Sequence, residues 1–225
     1  MSAVAGVERF SVGPLVQLVI NNPTNQNAMS LAMWEALEKH IESVSRDSDV
    51  QVLVITGAGV RDFCSGHFDY AETTSEPRIA FDSAVARTYV ALRALQKPTV
   101  ARIQGNCLDA GFELAQACDV RIAVESAKFA MSPAKFGVGQ RINEVEALAD
   151  RIGLSLAKDI LFYGKRFDAK VAEEMGFVSA VTTAGGLDTM VERHAVDLIG
   201  NLTMTAALLK RAFAEVFGGG AAKQE

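Results

Sequence analysis

The sequence has no excess of basic residues. Its 22 Lys and Arg stand against 27 Asp and Glu, a formal net charge of −5, with both signs interspersed. This excludes a chain-wide basic field for nucleic acid or an anionic membrane, and leaves only a local basic spot as a way to hold a nucleotide phosphate. Cysteine is scarce and odd in number: Cys64, Cys107 and Cys118 have no metal-ligand spacing, so neither a disulfide framework nor a metal site is expected. No apolar run reaches the ~18 residues of a membrane span, and no charged-then-apolar leader opens the chain. The expectation is a cytoplasmic protein with reduced thiols and no membrane partner. Five prolines and one tryptophan are few, and no repeat or linker interrupts the chain before Gly218–Gly220.

What is present is apolar: 49% of the 225 residues, enough for one domain with a substantial core. Leu15–Ile20, Val50–Thr56, Pro98–Ile103 and Asp119–Val124 read as buried-type strands. Between them, Leu31, Trp34, Leu37 and Ile41 recur at helical spacing behind a Ser30 N-cap, and Ile79–Leu95 and Asp109–Ala117 read as helices. The alternation predicts a largely parallel, right-handed α/β arrangement. Val60–Tyr70 reads as a loop. The last third is helical: Glu144–Ile152, Leu154–Phe162, Ala169–Met175, Leu187–Ile199 and Met204–Phe217, with Phe177–Val181 as a return strand. A core domain over 1–200 is expected, followed by a C-terminal helix and Gly-rich tail over 201–225.

Two glycine-containing loops follow strands, where open α/β sheets place ligands. These are Arg61-Asp-Phe-Cys-Ser-Gly-His-Phe-Asp69 and Gly105-Asn-Cys-Leu-Asp-Ala-Gly-Phe-Glu-Leu-Ala115. Either alone is also consistent with a plain turn. Together with Cys118-Asp-Val-Arg-Ile-Ala123, Asn21-Asn-Pro-Thr-Asn-Gln-Asn-Ala28 and Ala127-Lys-Phe-Ala-Met-Ser-Pro133, they resemble the enoyl-CoA hydratase (crotonase) superfamily over roughly residues 10 to 200.

The resemblance implies a crotonase-like β-β-α superhelix with a helical, here shortened, C-terminal region. It implies a coenzyme A thioester, or a carrier-protein pantetheine thioester, as substrate, with no prosthetic group. By position, the amides of His67 and Ala110 form an oxyanion hole that favours an enolate over the ground-state thioester. Glu113 is the acid–base carboxylate, and Ala28, Cys64, Ser65, Gly66 and Leu108 flank the pantetheine and adenine. A homotrimer or dimer of trimers is the family assembly.

The sequence also departs from the family. The second carboxylate of a standard hydratase should follow the proline of Met131-Ser-Pro133, where Ala134 stands, and Gly139-Gln-Arg-Ile-Asn-Glu144 replaces a Pro-Gly stretch. Ser65-Gly-His67 and Gly111-Phe-Glu113 also resemble the methylmalonyl-CoA decarboxylase pattern, although its tyrosine is Gln140 here. A malonyl-type decarboxylase is therefore one alternative, and a non-catalytic acyl-thioester-binding subunit another. Arg141 pairs with Asp109 or Glu113, binds a substrate carboxylate, or faces solvent. Asp109 reads as a helix N-cap, and Glu144 and Glu146 as helix-surface charges, with Glu144 able to replace the lost acid if its loop folds inward.

Overall fold

A computed structural model describes residues 5–66, 75–136, 140–200 and 203–217. The chain opens with the hairpin β1 (Gly6–Val12) and β2 (Leu15–Asn21), then α1 (Leu31–Arg46). Three turns of one motif follow, each a strand, a shorter strand and a helix. They are β3 (Val52–Gly57), β4 (Asp62–Ser65) and α2 (Ser75–Ala94); β5 (Thr99–Ile103), β6 (Asn106–Leu108) and α3 (Ala110–Ala117); and β7 (Val120–Val124), β8 (Lys128–Ala130) and α4 (Pro133–Phe136). The remainder is α5 (Ile142–Ile152), α6 (Leu154–Tyr163), β9 (Phe167–Asp168), α7 (Ala169–Glu174), β10 (Ala180–Thr182), α8 (Leu187–Gly200) and α9 (Thr203–Phe217).

The first strand of each turn joins a six-stranded sheet, ordered β1-β2-β3-β5-β7-β10, and the second joins a four-stranded sheet, ordered β4-β6-β8-β9. The larger sheet is parallel apart from the β1–β2 hairpin. This is the expected α/β β-β-α superhelix. Every residue of β3 is buried, which is why it reads as a continuous apolar run rather than an alternating one. In β2, Val16, Leu18 and Ile20 face the core while their neighbours are half-buried.

On α1, the expected stripe is buried as Met33, Trp34, Leu37, Ile41 and Val44, and the Ser30 hydroxyl accepts from the Met33 N–H. Trp34 meets Tyr89 of α2 edge-to-face at 5.5 Å, joining the two helices. At the far end of α1, the buried Lys97 ammonium donates to the carbonyls of Val44 and Asp47, the charge that a helix C-terminus favours.

One strand had no reading from the sequence, and two readings needed correction. Gly6–Val12 is a strand, although its exposed Phe10 and Val12 hide any alternation. The segment read as a loop from Val60 holds β4. Phe177–Val181 becomes a strand only over Ala180–Thr182, while Phe177 itself is buried.

Candidate active site

α3 carries the centre of the site, and its whole length is buried. Two anchors hold it. At its start, a Cβ on Gly111 would lie 2.1 Å from the Cys64 carbonyl oxygen, so only glycine lets the helix end press against β4. At its finish, the buried Arg121 guanidinium donates to the carbonyls of Ala115 and Cys118 at the helix end and to those of Asp119 and Phe177 beyond it, tying the helix C-terminus to the chain around it. Phe112 stacks on Phe177 at 4.2 Å and meets Phe167 edge-on, fixing the rotation of α3 between those anchors.

Asp109 occupies the N-cap position but does not cap. Its backbone is left-handed at φ +48°, and its side chain makes no hydrogen bond to its own helix. Instead its carboxylate accepts from the Ser132 N–H at 2.8 Å, while its own N–H donates to the Ala130 carbonyl at 2.8 Å. The residue therefore ties the start of α3 to the end of β8, in a conformation that costs a non-glycine residue about 1–3 kcal/mol.

The segments read as ligand-binding converge here. Ser65 pairs with Leu108 across β4 and β6, the Gly66 N–H donates to the Leu108 carbonyl at 3.3 Å, and the Ser65 N–H donates to the Gln26 carbonyl at 3.0 Å, two residues before Ala28. Cys64 is fully buried, so what it offers a ligand is main chain. Burial pushes its thiol up to about 12, with Asp109 and Asp62 adding to the rise, which removes it as a nucleophile near neutral pH. The Ala110 N–H donates to no described residue and is one of the unpaired first-turn donors that favour an anion. His67 lies outside the described residues.

Glu113 sits in the first turn of α3, 3% exposed. Burial raises its pKa to about 7; Arg141 opposes the rise, and Glu144 adds to it. Arg141, just before α5, places Nη2 3.1 Å from Glu113 Oε2, its Nε 3.7 Å from Glu144 Oε1, and its guanidinium 5.2 Å from the centre of the Tyr89 ring. The Tyr89 hydroxyl donates to the Ala110 carbonyl at 3.1 Å. Of the alternatives for Arg141, the pairing with Glu113 is the one seen.

Glu144 is not a surface charge: it is buried, paired with Arg93 of α2, and its carbonyl accepts from Gln116. Glu146 is exposed. Ala134 is exposed too, and the pocket's second carboxylate comes from α5 instead. Glu113, Glu144, Gln116, Gln140, Met131 and Leu161 are among the residues lining one small pocket. The signal for Glu144 was its spacing, since Glu144, Leu148 and Ile152 are the buried residues of α5 and fall on one helical stripe. Among the described residues no group of three or more His, Cys, Asp or Glu is placed to hold a metal, and no helix is long and apolar enough to cross a membrane.

Comparison with known proteins places this architecture in the crotonase fold. An enoyl-CoA hydratase structure from Bacillus anthracis matches with a TM-score of 0.88 at 27% identity, covering 93% of this chain and 82% of that one. An enoyl-CoA hydratase of Mycobacterium tuberculosis is 33% identical over 178 residues, covering 77% of this chain and 66% of that protein. Human mitochondrial methylglutaconyl-CoA hydratase is 30% identical over 186 residues, 82% of this chain and 55% of that one. The family model described as enoyl-CoA hydratase/isomerase matches residues 13–224. The chain belongs to the enoyl-CoA hydratase/isomerase family.

Proposed function

We propose that the protein is an acyl-CoA enzyme of the hydratase/isomerase type that works through a thioester enolate. The carrying observation is the pairing, within one helical turn, of the Ala110 N–H at the start of α3 with a buried Glu113 whose pKa is raised to about 7. A donor at a helix N-terminus strengthens its bond as the thioester oxygen gains charge, and a carboxylate titrating near neutrality can both take and return a proton. The His67 amide completes the oxyanion hole in this reading. Coenzyme A, or a carrier-protein pantetheine, passes along Ala28, Cys64, Ser65, Gly66 and Leu108. Exposed Leu208, Leu209, Phe213 and Val216 on α9 support assembly of the chain into trimers or pairs of trimers.

The test is mass spectrometry of the protein incubated with crotonyl-CoA and methylmalonyl-CoA in heavy water. Addition of water to the first, or deuterium entering its acyl chain, is the expected result. Loss of carbon dioxide from the second would move the reaction to the decarboxylase branch. Tight binding of both esters with no change in either would make the chain a silent binder.

A further inference from the structure

The charged cluster beside the pocket is two ion pairs, each with the arginine as the more exposed member, and the pair with the longer contact, Arg141–Glu113, is the exchangeable one. Arg93 from α2, 29% exposed, holds Glu144, 2% exposed. Arg141 holds Glu113, 4% exposed, but is itself 34% exposed. The guanidinium is thus the member of its pair that an entering ligand meets first. Its hold on the cluster is also incomplete. Among the described residues, Arg141 Nε and Glu144 Oε1 are both buried without a hydrogen-bond partner and stand 3.7 Å apart, while the contact with Glu113 is through one nitrogen. A guanidinium gains most from a carboxylate that engages two of its N–H groups at once.

We propose that Arg141 makes this site selective for acyl thioesters whose acyl chain carries a second carboxylate, and that this carboxylate takes the guanidinium from Glu113. The inference rests on the acyl-thioester reading of the same pocket, and adds the class of acyl group. Charge balance supplies its second half. Arg93 and Arg141 offset Glu113 and Glu144, so the cluster is neutral when all four are ionised. A ligand carboxylate adds one negative charge to a largely buried site, which disfavours it unless a proton comes too. The described groups around the exchangeable pair are Tyr89 and Arg93 from α2 and Glu144 from α5. Tyr89 keeps its proton, because burial raises its pKa far above the usual value. Glu113 is the group left to protonate, so a dicarboxylic ligand binds together with a proton, whereas an apolar acyl chain leaves the pair intact.

Calorimetric titration of the whole chain with chain-matched probes tests this: succinyl-CoA against butyryl-CoA, and glutaryl-CoA against pentanoyl-CoA. Each is run at about pH 6.5 and about pH 8.5, on either side of the Glu113 titration, in buffers of different ionisation enthalpy. The diacid thioesters should bind about tenfold tighter than their partners at the lower pH, lose that advantage as pH rises, and take up about one proton at the higher pH. Arg141→Gln should bring the affinity ratio to about one. Glu113→Gln should keep the preference, make it independent of pH and abolish proton uptake, which separates the proton's site from any general loosening of the pocket. Equal affinity for diacid and monoacid probes in the wild type, or a preference that survives Arg141→Gln, overturns this inference alone. Binding of none of the four thioesters overturns the acyl-thioester reading and this inference with it.

Discussion

The side of the pocket that carries Ala110 is made of main chain. Here β4, β6 and β8 pair in parallel, with one irregularity between Asp62 and Cys64, Gly111 lets α3 touch the Cys64 carbonyl, and the buried Asn27 amide donates to the carbonyls of Ala58 and Asp62. The side that carries Glu113 and Arg141 is made of ionised side chains drawn from α2, α3 and the start of α5. Main chain that is fully paired has one arrangement, insensitive to pH but intolerant of added volume. A buried charge cluster tolerates changes of shape better, and responds to protons and ligands because each charge is only as stable as its partner. The proposed oxyanion donor, Ala110, stands on the first kind of support and the proposed proton carrier, Glu113, on the second.

The largest expected effect breaks the charged side alone. Glu113→Gln removes the proposed proton carrier but keeps the side chain's size, so turnover should fall about a thousandfold while thioester affinity changes by about threefold or less. Steady-state kinetics beside a binding titration measure this. An unchanged rate would take Glu113 out of the chemistry. The converse break is Gly111→Ala. Its Cβ would sit 2.1 Å from a backbone oxygen, so the start of α3 or β4 must move, at a cost of about 3 kcal/mol or more. Asn27→Ala leaves the Ala58 carbonyl and the Asn22 N–H without the partner Asn27 gives them, leaves the Asp62 carbonyl to Gln104, and places alanine at φ +57°; about 3 kcal/mol is expected from both causes together. Chemical denaturation would record each loss, and neither should depend on pH.

The charged side should show the opposite behaviour. Glu113 has its pKa raised in the folded protein from an ordinary 4.5 to about 7. The native state therefore holds a proton that the unfolded chain has released across that interval. The stabilisation is complete below about pH 4.5 and is lost as pH rises through about 7, amounting to no more than about 3 kcal/mol. Relative to Glu113→Gln, which cannot titrate, the wild type should become less stable over that window and then level off. A flat difference between the two denaturation curves would mean that Glu113 is not buried as a carboxylic acid.

These two kinds of support differ in how far the sequence shows them. Long buried strands and amphipathic helices are local patterns, and β3 or α1 can be read from a few consecutive residues. The strands β4, β6 and β8 are three or four residues long and exist because they pair with one another across stretches of chain, so each alone looks like a turn. Glu113, Ala110 and the residues around Ser65 were legible through the family motifs that contain them. Glu144 was read first as a surface charge, and only second as an inward carboxylate, because its partner, Arg93, lies 51 residues away and a glutamate in a first helical turn resembles a surface charge until that partner is in place. Arg141 was left with several partners for the same reason. The N-cap reading of Asp109 failed because the Ser132 N–H, supplied by another turn of the superhelix, competes for the same carboxylate.

The smallest effect sharpens the comparison most, because it asks whether Arg141 acts on Glu113 across space. If Glu113 takes a proton from substrate, kcat/KM should rise with pH through the Glu113 pKa, about 7, since that ratio reports the free enzyme. Arg141 holds that value down: its charge, 3.1 Å from Oε2, favours the carboxylate, while burial and Glu144 favour the acid. Arg141→Gln leaves the second two in force and removes the first, so the limb should move to higher pH by about one unit. The rate above the shifted limb should approach that of the wild type for an acyl group without a second carboxylate. A limb that stays in place while the rate falls at every pH would make Arg141 a steric support of the Glu113 side chain, its charge spent on Glu144 instead.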